Sequence, residues 1–177
     1  MTARNTPRKN GDAMWRRSAL ATLALIVLLP SARGKAAEDS PLPEFRVLDP
    51  EGASVTSRQL TTAQRWVLLY VAPGCAACDD LSRATGRWQP PGQPARIIVV
   101  VRGSVQESAA FVEHARPRGT VPVPWFADAA GEAWQALKLS GVPMLIGVED
   151  NVVKWSIAGV LNDPNMVNSV VRTWLER

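Results

Sequence analysis

Trp66-Val67-Leu68-Leu69-Tyr70-Val71-Ala72-Pro73-Gly74-Cys75-Ala76-Ala77-Cys78 decides how this chain is read. Its first six residues form an unbroken apolar run rich in β-formers, which predicts a strand buried on both faces. Pro73-Gly74 interrupts it, and a helix is expected to start at the cysteines and run toward Trp88, with Pro90-Pro91-Gly92 as its stop. A C-x-x-C pair at a helix N-terminus leaves the first sulfur facing unpaired amide donors and the positive end of the helix dipole, which favours its thiolate. Two intervening residues keep the second thiol within reach of the first. Cys75 can then attack a disulfide and Cys78 can resolve the mixed disulfide, and the reverse sequence oxidises a dithiol. Two blander readings compete. Half of a metal site would need carboxylates to complete it, because His114 is the single histidine and there is no third cysteine; His114 itself reads as an exposed residue near a helix end. A purely structural bridge stays open, although so short a loop gains little closure entropy.

Working outward, Phe45-Arg46-Val47-Leu48 and Ala53-Ser54-Val55 flank Asp49-Pro50-Glu51-Gly52 and predict a short hairpin, with a helical turn over residues 57–60. Residues 36–44 read as a tether, so that structure is expected to begin near Phe45. Ala95-Arg96-Ile97-Ile98-Val99-Val100-Val101 predicts a second central strand. Ser104 and Glu107 form a capping box for a helix that Pro117 closes. Residues 121–126, with alternating prolines, predict a short edge strand. Residues 131–139 are helical in composition. Met144-Leu145-Ile146-Gly147-Val148 and Val152-Val153-Lys154-Trp155-Ser156-Ile157 flank a turn and predict a hairpin, and Asp163-Pro164 starts a last helix through Trp174. Strands alternating with helices, then a closing hairpin and helix, give an α/β class with a mixed sheet.

At 177 residues, 46% hydrophobic and 20% charged, the chain suits one globular domain. Residues 1–37 carry seven basic side chains against Asp12 alone, whereas residues 38–177 carry thirteen basic and fifteen acidic ones. The body is therefore not basic, and its scattered cations offer no stripe that could release counterions from a nucleic acid, which is set aside as a partner. Arg4, Arg8, Lys9, Arg16 and Arg17 precede an uncharged apolar stretch, residues 18–30, in the pattern of an export signal. Ala32 and Gly34, or Gly34 and Ala36, have the spacing of a cleavage site. An uncleaved signal anchor is the alternative, with Arg33 and Lys35 at the far end. Arg16-Arg17 also resembles a twin-arginine export pair in poorly matching surroundings. The organisation expected is a signal or anchor with linker over residues 1–37 and a single domain over residues 38–177, carried across the membrane into a periplasmic or other extracytoplasmic compartment where a disulfide can persist.

The stretch 66–78 resembles the strand and active-site turn of the thioredoxin superfamily. A second match, Gly141-Val142-Pro143 before an apolar strand, resembles that superfamily's cis-proline loop. Pro43-Glu44-Phe45 with Leu48-Asp49, Gly52 and Leu60, and the extra strand and helix between Cys78 and Pro143, are similar to exported, often membrane-tethered thiol-disulfide oxidoreductases of the TlpA and ResA type. A weaker likeness, in Ala72-Pro73-Gly74-Cys75 and Gly159-Val160-Leu161-Asn162, points to the methylamine-utilisation disulfide oxidoreductases. The resemblance implies a thioredoxin-like fold, a central mixed sheet flanked by helices with an N-terminal hairpin and a central strand-helix insertion. It implies Cys75 as nucleophile, Cys78 as resolving thiol, and Val142, Pro143 and Gly74 beside the substrate. It implies no metal and no cofactor beyond the Cys75–Cys78 pair. The partners implied are a protein substrate bearing thiols or a disulfide and a membrane or periplasmic redox protein, with cytochrome or other exported-protein maturation as the setting.

This chain departs from the pattern in informative places. Gly74 stands where the superfamily usually has Trp, and no proline separates the cysteines. Leu69 occupies the position where some thioredoxins hold a buried acid, and Leu81 offers none either. Asp79 and Asp80 suit the helix dipole but place two carboxylates near the sulfurs, which opposes thiolate formation at Cys75. Trp125, after Pro122 and Pro124, is a candidate for the active-site edge. Ala72, three residues before Cys75, stands against a peroxidase, and a redox-inert or metallochaperone-like binding module is the alternative from another class.

Overall fold

The computed structural model describes residues 39–89, 93–115, 122–159 and 164–177. The export segment, the proline stops at 90–91 and 117, and the Asp163 cap fall outside the described residues. No helix among the described residues is long and apolar enough to cross a membrane.

Eight strands form one mixed sheet: β1 (Ser40–Pro41), β2 (Arg46–Leu48), β3 (Ser54–Thr56), β4 (Arg65–Val71), β5 (Ile97–Arg102), β6 (Trp125–Asp128), β7 (Met144–Glu149) and β8 (Val152–Ala158). Their spatial order is β1-β8-β7-β4-β5-β6-β2-β3. The helices are α1 (Ala76–Thr85), α2 (Val105–Ala115), α3 (Glu132–Ala136) and α4 (Pro164–Glu176), with one 3-10 turn at Ser57–Gln59. Strand β4 is the centre. It runs parallel to β5, with Val67 opposite Ile97 and Val71 opposite Val101, and antiparallel to β7, with Tyr70 opposite Met144.

Strand alternation divides the core into two layers. Val67, Leu69 and Val71 of β4 and Ile97, Val99 and Val101 of β5 join a cluster with Cys78, Ala84, Phe111, Val167, Val171 and Leu175, so this face is covered by α1, α2 and α4. Trp66, Leu68 and Tyr70, with Ile98 and Val100, pack on the other face against Phe45, Leu60, Ala133 and Leu139, from the N-terminal arm and α3. Burial on both faces is why β4 and β5 read as continuous apolar runs rather than alternating ones.

The N-terminal hairpin forms as its residues predict. Asp49 Oδ1 accepts from the N–H groups of Glu51 (3.1 Å) and Ala53 (2.7 Å), and Gly52 takes φ +85°, so the turn needs both residue types. The capping box at α2 is also present: Glu107 Oε2 accepts from Ser104 N–H at 2.8 Å, and Ser104 Oγ accepts from Glu107 N–H at 3.3 Å.

Three expectations need correction. Structure begins before Phe45, because Ser40 and Pro41 pair with Val153 and Val152 and Leu42 is buried. Helix α1 ends at Thr85, with Gly86 as its C-cap, ahead of the proline cluster. The strand expected at an edge over residues 121–126 is internal: Pro122 and Pro124 precede β6, which starts at Trp125, pairs with β5, and meets β2 through Leu48 opposite Ala127. The prolines remove no ladder donors from within the strand, so β6 accepts neighbours on both sides.

Candidate active site

The parallel run of β4 delivers the chain to the top of the sheet, where a tight turn reverses it into α1. Gly74 makes that turn at φ +78°, in the left-handed region that L side chains rarely adopt, and the position of a Cβ there meets no atom within 4 Å. Cys75 is the N-cap of α1, in extended conformation, and its side chain accepts from Cys78 N–H at 3.2 Å. The Cys75 carbonyl accepts from the same N–H at 2.9 Å and from Asp79 N–H at 3.2 Å. The first sulfur therefore lies among the helix's terminal donors, as the C-x-x-C placement predicts.

Cys75 and Cys78 are disulfide-bonded, with Cα atoms 5.2 Å apart. Their burial differs. Cys78 is completely buried in the cluster under α1, whereas Cys75 is half-buried and only borders it. An external thiolate thus has access to the Cys75 sulfur, and displacement there expels Cys78 into the shelter of the helix.

Val142–Pro143 is a cis peptide bond. Because Tyr70 pairs with Met144, continuing the β4–β7 register places Pro143 beside the end of β4 and Val142 beside the start of the cysteine turn. Pro143 accepts from Gly159 N–H at 2.9 Å, which ties the loop to the end of β8. Val142 packs against both core clusters, at the seam between the two layers, and makes no backbone hydrogen bond among the described residues. Gly74, Cys75, Val142 and Pro143 thus converge on one end of the sheet.

The remaining singled-out residues do not all join them. Trp125, the first residue of β6, stands opposite Val99 and packs, half-buried, against the cluster under α1 rather than at the cysteine turn. His114 is exposed at the end of α2. Asp80 is exposed and paired with Arg83 at 2.8 Å, while Asp79 sits in the first turn of α1. Leu69 is fully buried in the cluster that holds Cys78, so no acid occupies that place. Among the described residues no three metal-binding side chains come together.

A buried acid exists elsewhere. Asp128, 2% exposed, accepts from Tyr70 Oη at 2.7 Å and from the N–H groups of Ala133 (3.2 Å) and Trp134 (3.0 Å), closing the first turn of α3. Burial, then the Asp128 bond, pushes the Tyr70 phenol well above its ordinary value. This pair lies on the opposite face of β4 from Cys78, because residues 69 and 70 point to opposite layers. Its signal was a lone tyrosine in an aliphatic run, whose buried hydroxyl demands a partner; the identity of that partner, 58 residues away, had none.

No family model matches the sequence, and no curated protein matches it significantly. Solved structures do. The thioredoxin domain of a thiol-disulfide oxidoreductase from Bacteroides vulgatus superposes with a TM-score of 0.58 at 15% identity, covering 78% of this chain and 98% of that one. A secreted Mycobacterium tuberculosis disulfide oxidoreductase homologous to E. coli DsbE gives 0.57 at 13% identity, covering 73% and 95%. The exposed lipoprotein thioredoxin Etrx1 of Streptococcus pneumoniae gives 0.55 at 12% identity, covering 73% and 98%. At such identities the likeness is one of fold, and it establishes that this chain has a thioredoxin-like fold.

Proposed function

We propose that the chain is an exported thiol-disulfide oxidoreductase acting on protein thiols or disulfides. The observation that carries this reading is the half-exposed Cys75 at the α1 N-cap, bonded to a fully buried Cys78 and flanked by the cis Val142–Pro143 bond.

In the oxidising direction a substrate thiolate attacks Cys75 Sγ, the Cys75–Cys78 bond breaks, and Cys78 leaves as a thiolate. A second substrate thiolate attacks the substrate sulfur of the mixed disulfide and expels Cys75. Two electrons pass to the cysteine pair and the substrate keeps a disulfide. In the reducing direction Cys75 attacks a substrate disulfide and Cys78 resolves it by attack on Cys75. The Cys78 N–H already directed at Cys75 Sγ stabilises the charge that sulfur carries whenever it leaves or attacks. With Leu69 beside Cys78, its proton is exchanged with solvent or with the substrate rather than with a buried carboxylate. The open, strain-adapted Gly74 borders the substrate, and the backbone of Val142, unpaired among the described residues, offers it strand-like hydrogen bonds.

Export rests on the basic cluster and apolar stretch of residues 1–37, and on neighbours described as secreted and as an exposed lipoprotein. The TlpA-like character and a membrane or periplasmic electron partner belong to the same proposal.

The test is the equilibrium of the cysteine pair in glutathione and dithiothreitol buffers, read by alkylation mass shift. A reversible two-electron transition is expected, lost in Cys75→Ser. A potential near that of thioredoxin, about −270 mV, would mark a reductant, and one near about −120 mV an oxidant. Failure to cycle would sink the proposal in favour of a binding module.

A further inference from the structure

The end of the sheet opposite the disulfide holds a basic cleft of about 370 Å3 that the redox chemistry does not use. It is formed where β4 and β5 begin and β7 ends, and Arg65, Arg96, Arg177 and Glu149 line it. Arg65 is held on two sides: its Nε and Nη2 donate to Glu149 Oε1, and its guanidinium carbon lies 5.1 Å from the centre of the Trp174 ring. Arg96 Nε donates to the Arg65 backbone carbonyl at 3.2 Å, which holds the second guanidinium against the backbone of the first arginine. Among the described residues, Arg65 Nη1 and both terminal nitrogens of Arg96 have no acceptor. Burial, then Arg65, lowers Arg96 from its ordinary value, as expected of two like charges held together in a recess.

We propose that this cleft binds a multiply charged oxyanion of the phosphate class, gripped by Arg96 and the free edge of Arg65 with Arg177 at the rim. Guanidinium groups present parallel N–H donors that match paired phosphate oxygens. Glu149 balances one of the three cations, and the cleft keeps a net positive charge for an anion to meet. The cleft's volume admits a group larger than one bare ion. That chemistry is shared by a free phosphate compound and by an anionic lipid headgroup.

The experiment titrates the full chain with pyrophosphate, following unfolding temperature and heat of binding, and separately sediments it with phosphatidylcholine vesicles with and without phosphatidylglycerol. Saturable pyrophosphate binding is expected, weakened about ten-fold by Arg96→Gln and less by Arg96→Lys. Arg172→Gln, outside the cleft, leaves it unchanged. Glu149→Gln keeps an oxygen for Arg65 while removing the competing charge, and tightens binding. Pyrophosphate binding without vesicle pelleting assigns a soluble phosphate; pelleting that requires both phosphatidylglycerol and Arg96 assigns the headgroup. The basic N-terminal segment supplies Arg96-independent pelleting, which does not count in favour. If Arg96→Gln does not fold by circular dichroism, Arg177→Gln and Glu149→Gln carry the test. The proposal is overturned if neither probe binds, or if binding ignores the arginine substitutions and Glu149→Gln fails to tighten it. Because the readouts are independent of the cysteine potential, this inference and the redox function fail separately.

Discussion

The two faces of the central sheet solve different problems with the same strands. Under α1, α2 and α4 the layer is mainly aliphatic and aromatic, with the buried hydroxyls of Thr85 and Ser108 on its helices, and among the described residues its sulfur, Cys78, is sealed in without a carboxylate. Under α3 and the N-terminal arm the layer contains a buried ionisable pair, Tyr70 and Asp128, which fixes a five-residue helix too short to hold itself. The redox face is thus governed by packing and the opposite face by polar satisfaction. The same residue types would have different consequences if exchanged between them: a buried acid beside Cys78 would be a proton acceptor, whereas Asp128, facing away from the sulfurs, is a structural cap.

Overfilling the packed face is the severest perturbation the redox side of the sheet offers. A Cβ at Gly147 would stand 2.1 Å from two atoms of the Trp155 indole, which is itself packed edge-on against Trp174 with ring centres 5.7 Å apart. Gly147→Ala should cost about 3 kcal/mol, the upper end of the usual range for inserting one methyl group into packed surroundings. Urea denaturation measures it. A loss under about 1 kcal/mol would show that the indole repacks freely and that packing does not govern this face.

On the other face, Asp128→Ala removes the acceptor of one hydroxyl and two helix N–H groups, and should cost about 3 kcal/mol while leaving the cysteine potential unchanged. A shift in that potential would overturn the separation of the two faces. Tyr70→Phe supplies the pH signature. The folded phenol is raised above the unfolded value of about 10, so its contribution is complete below that pH and is lost as pH rises from there toward the folded value. Wild-type stability should therefore fall more steeply than that of Tyr70→Phe above about pH 10, in alkaline urea titrations.

How legible each face was in the sequence follows the same division. Wherever the determinant was local, the residues announced it: the helix start at Cys75, the Asp49–Gly52 turn, the Ser104–Glu107 box and the β7–β8 hairpin are all set by residues within a few positions of one another. The cis bond at Pro143 was signalled only by resemblance, since X-Pro bonds are ordinarily trans. What escaped was long-range. Strand β6 became internal through a single bridge between Leu48 and Ala127, β1 exists only because β8 lies beside it, and the partner of Tyr70 sits beyond three intervening elements of the chain. The basic cleft was equally hidden, because Arg65, Arg96 and Arg177 are scattered in sequence and meet only where strand starts and a helix end share one edge of the molecule.

A smaller effect probes the mouth of the redox face. Asp79 and Asp80 place negative charge in the first turns of α1, near the sulfur that must carry a thiolate. Replacing both by Asn removes that repulsion and should lower the Cys75 thiol titration, read by thiolate absorbance of the reduced chain, by the modest amount expected of solvent-screened charges. An unchanged or raised value would mean that the helix terminus alone sets the acidity of the site.

The smallest effect lies at the start of α2, where the packed face depends on a polar device at its margin. Glu107 accepts from the Ser104 N–H and hydroxyl at 2.8 Å each, and these bonds hold its carboxyl below the usual carboxylate range. A lowered folded value means that the stabilisation is present above the unfolded value of about 4.3 and is lost as pH falls through the folded one. Glu107→Gln retains an acceptor oxygen but not the charge, so the gap in urea midpoint between wild type and variant should be widest near neutral pH and close in acid. Because the carboxylate is fully solvent-exposed, the gap should also narrow as salt is added. A gap independent of both pH and salt would mean that the box acts through its hydrogen-bond geometry alone, and that charge contributes nothing to how α2 is laid on the sheet.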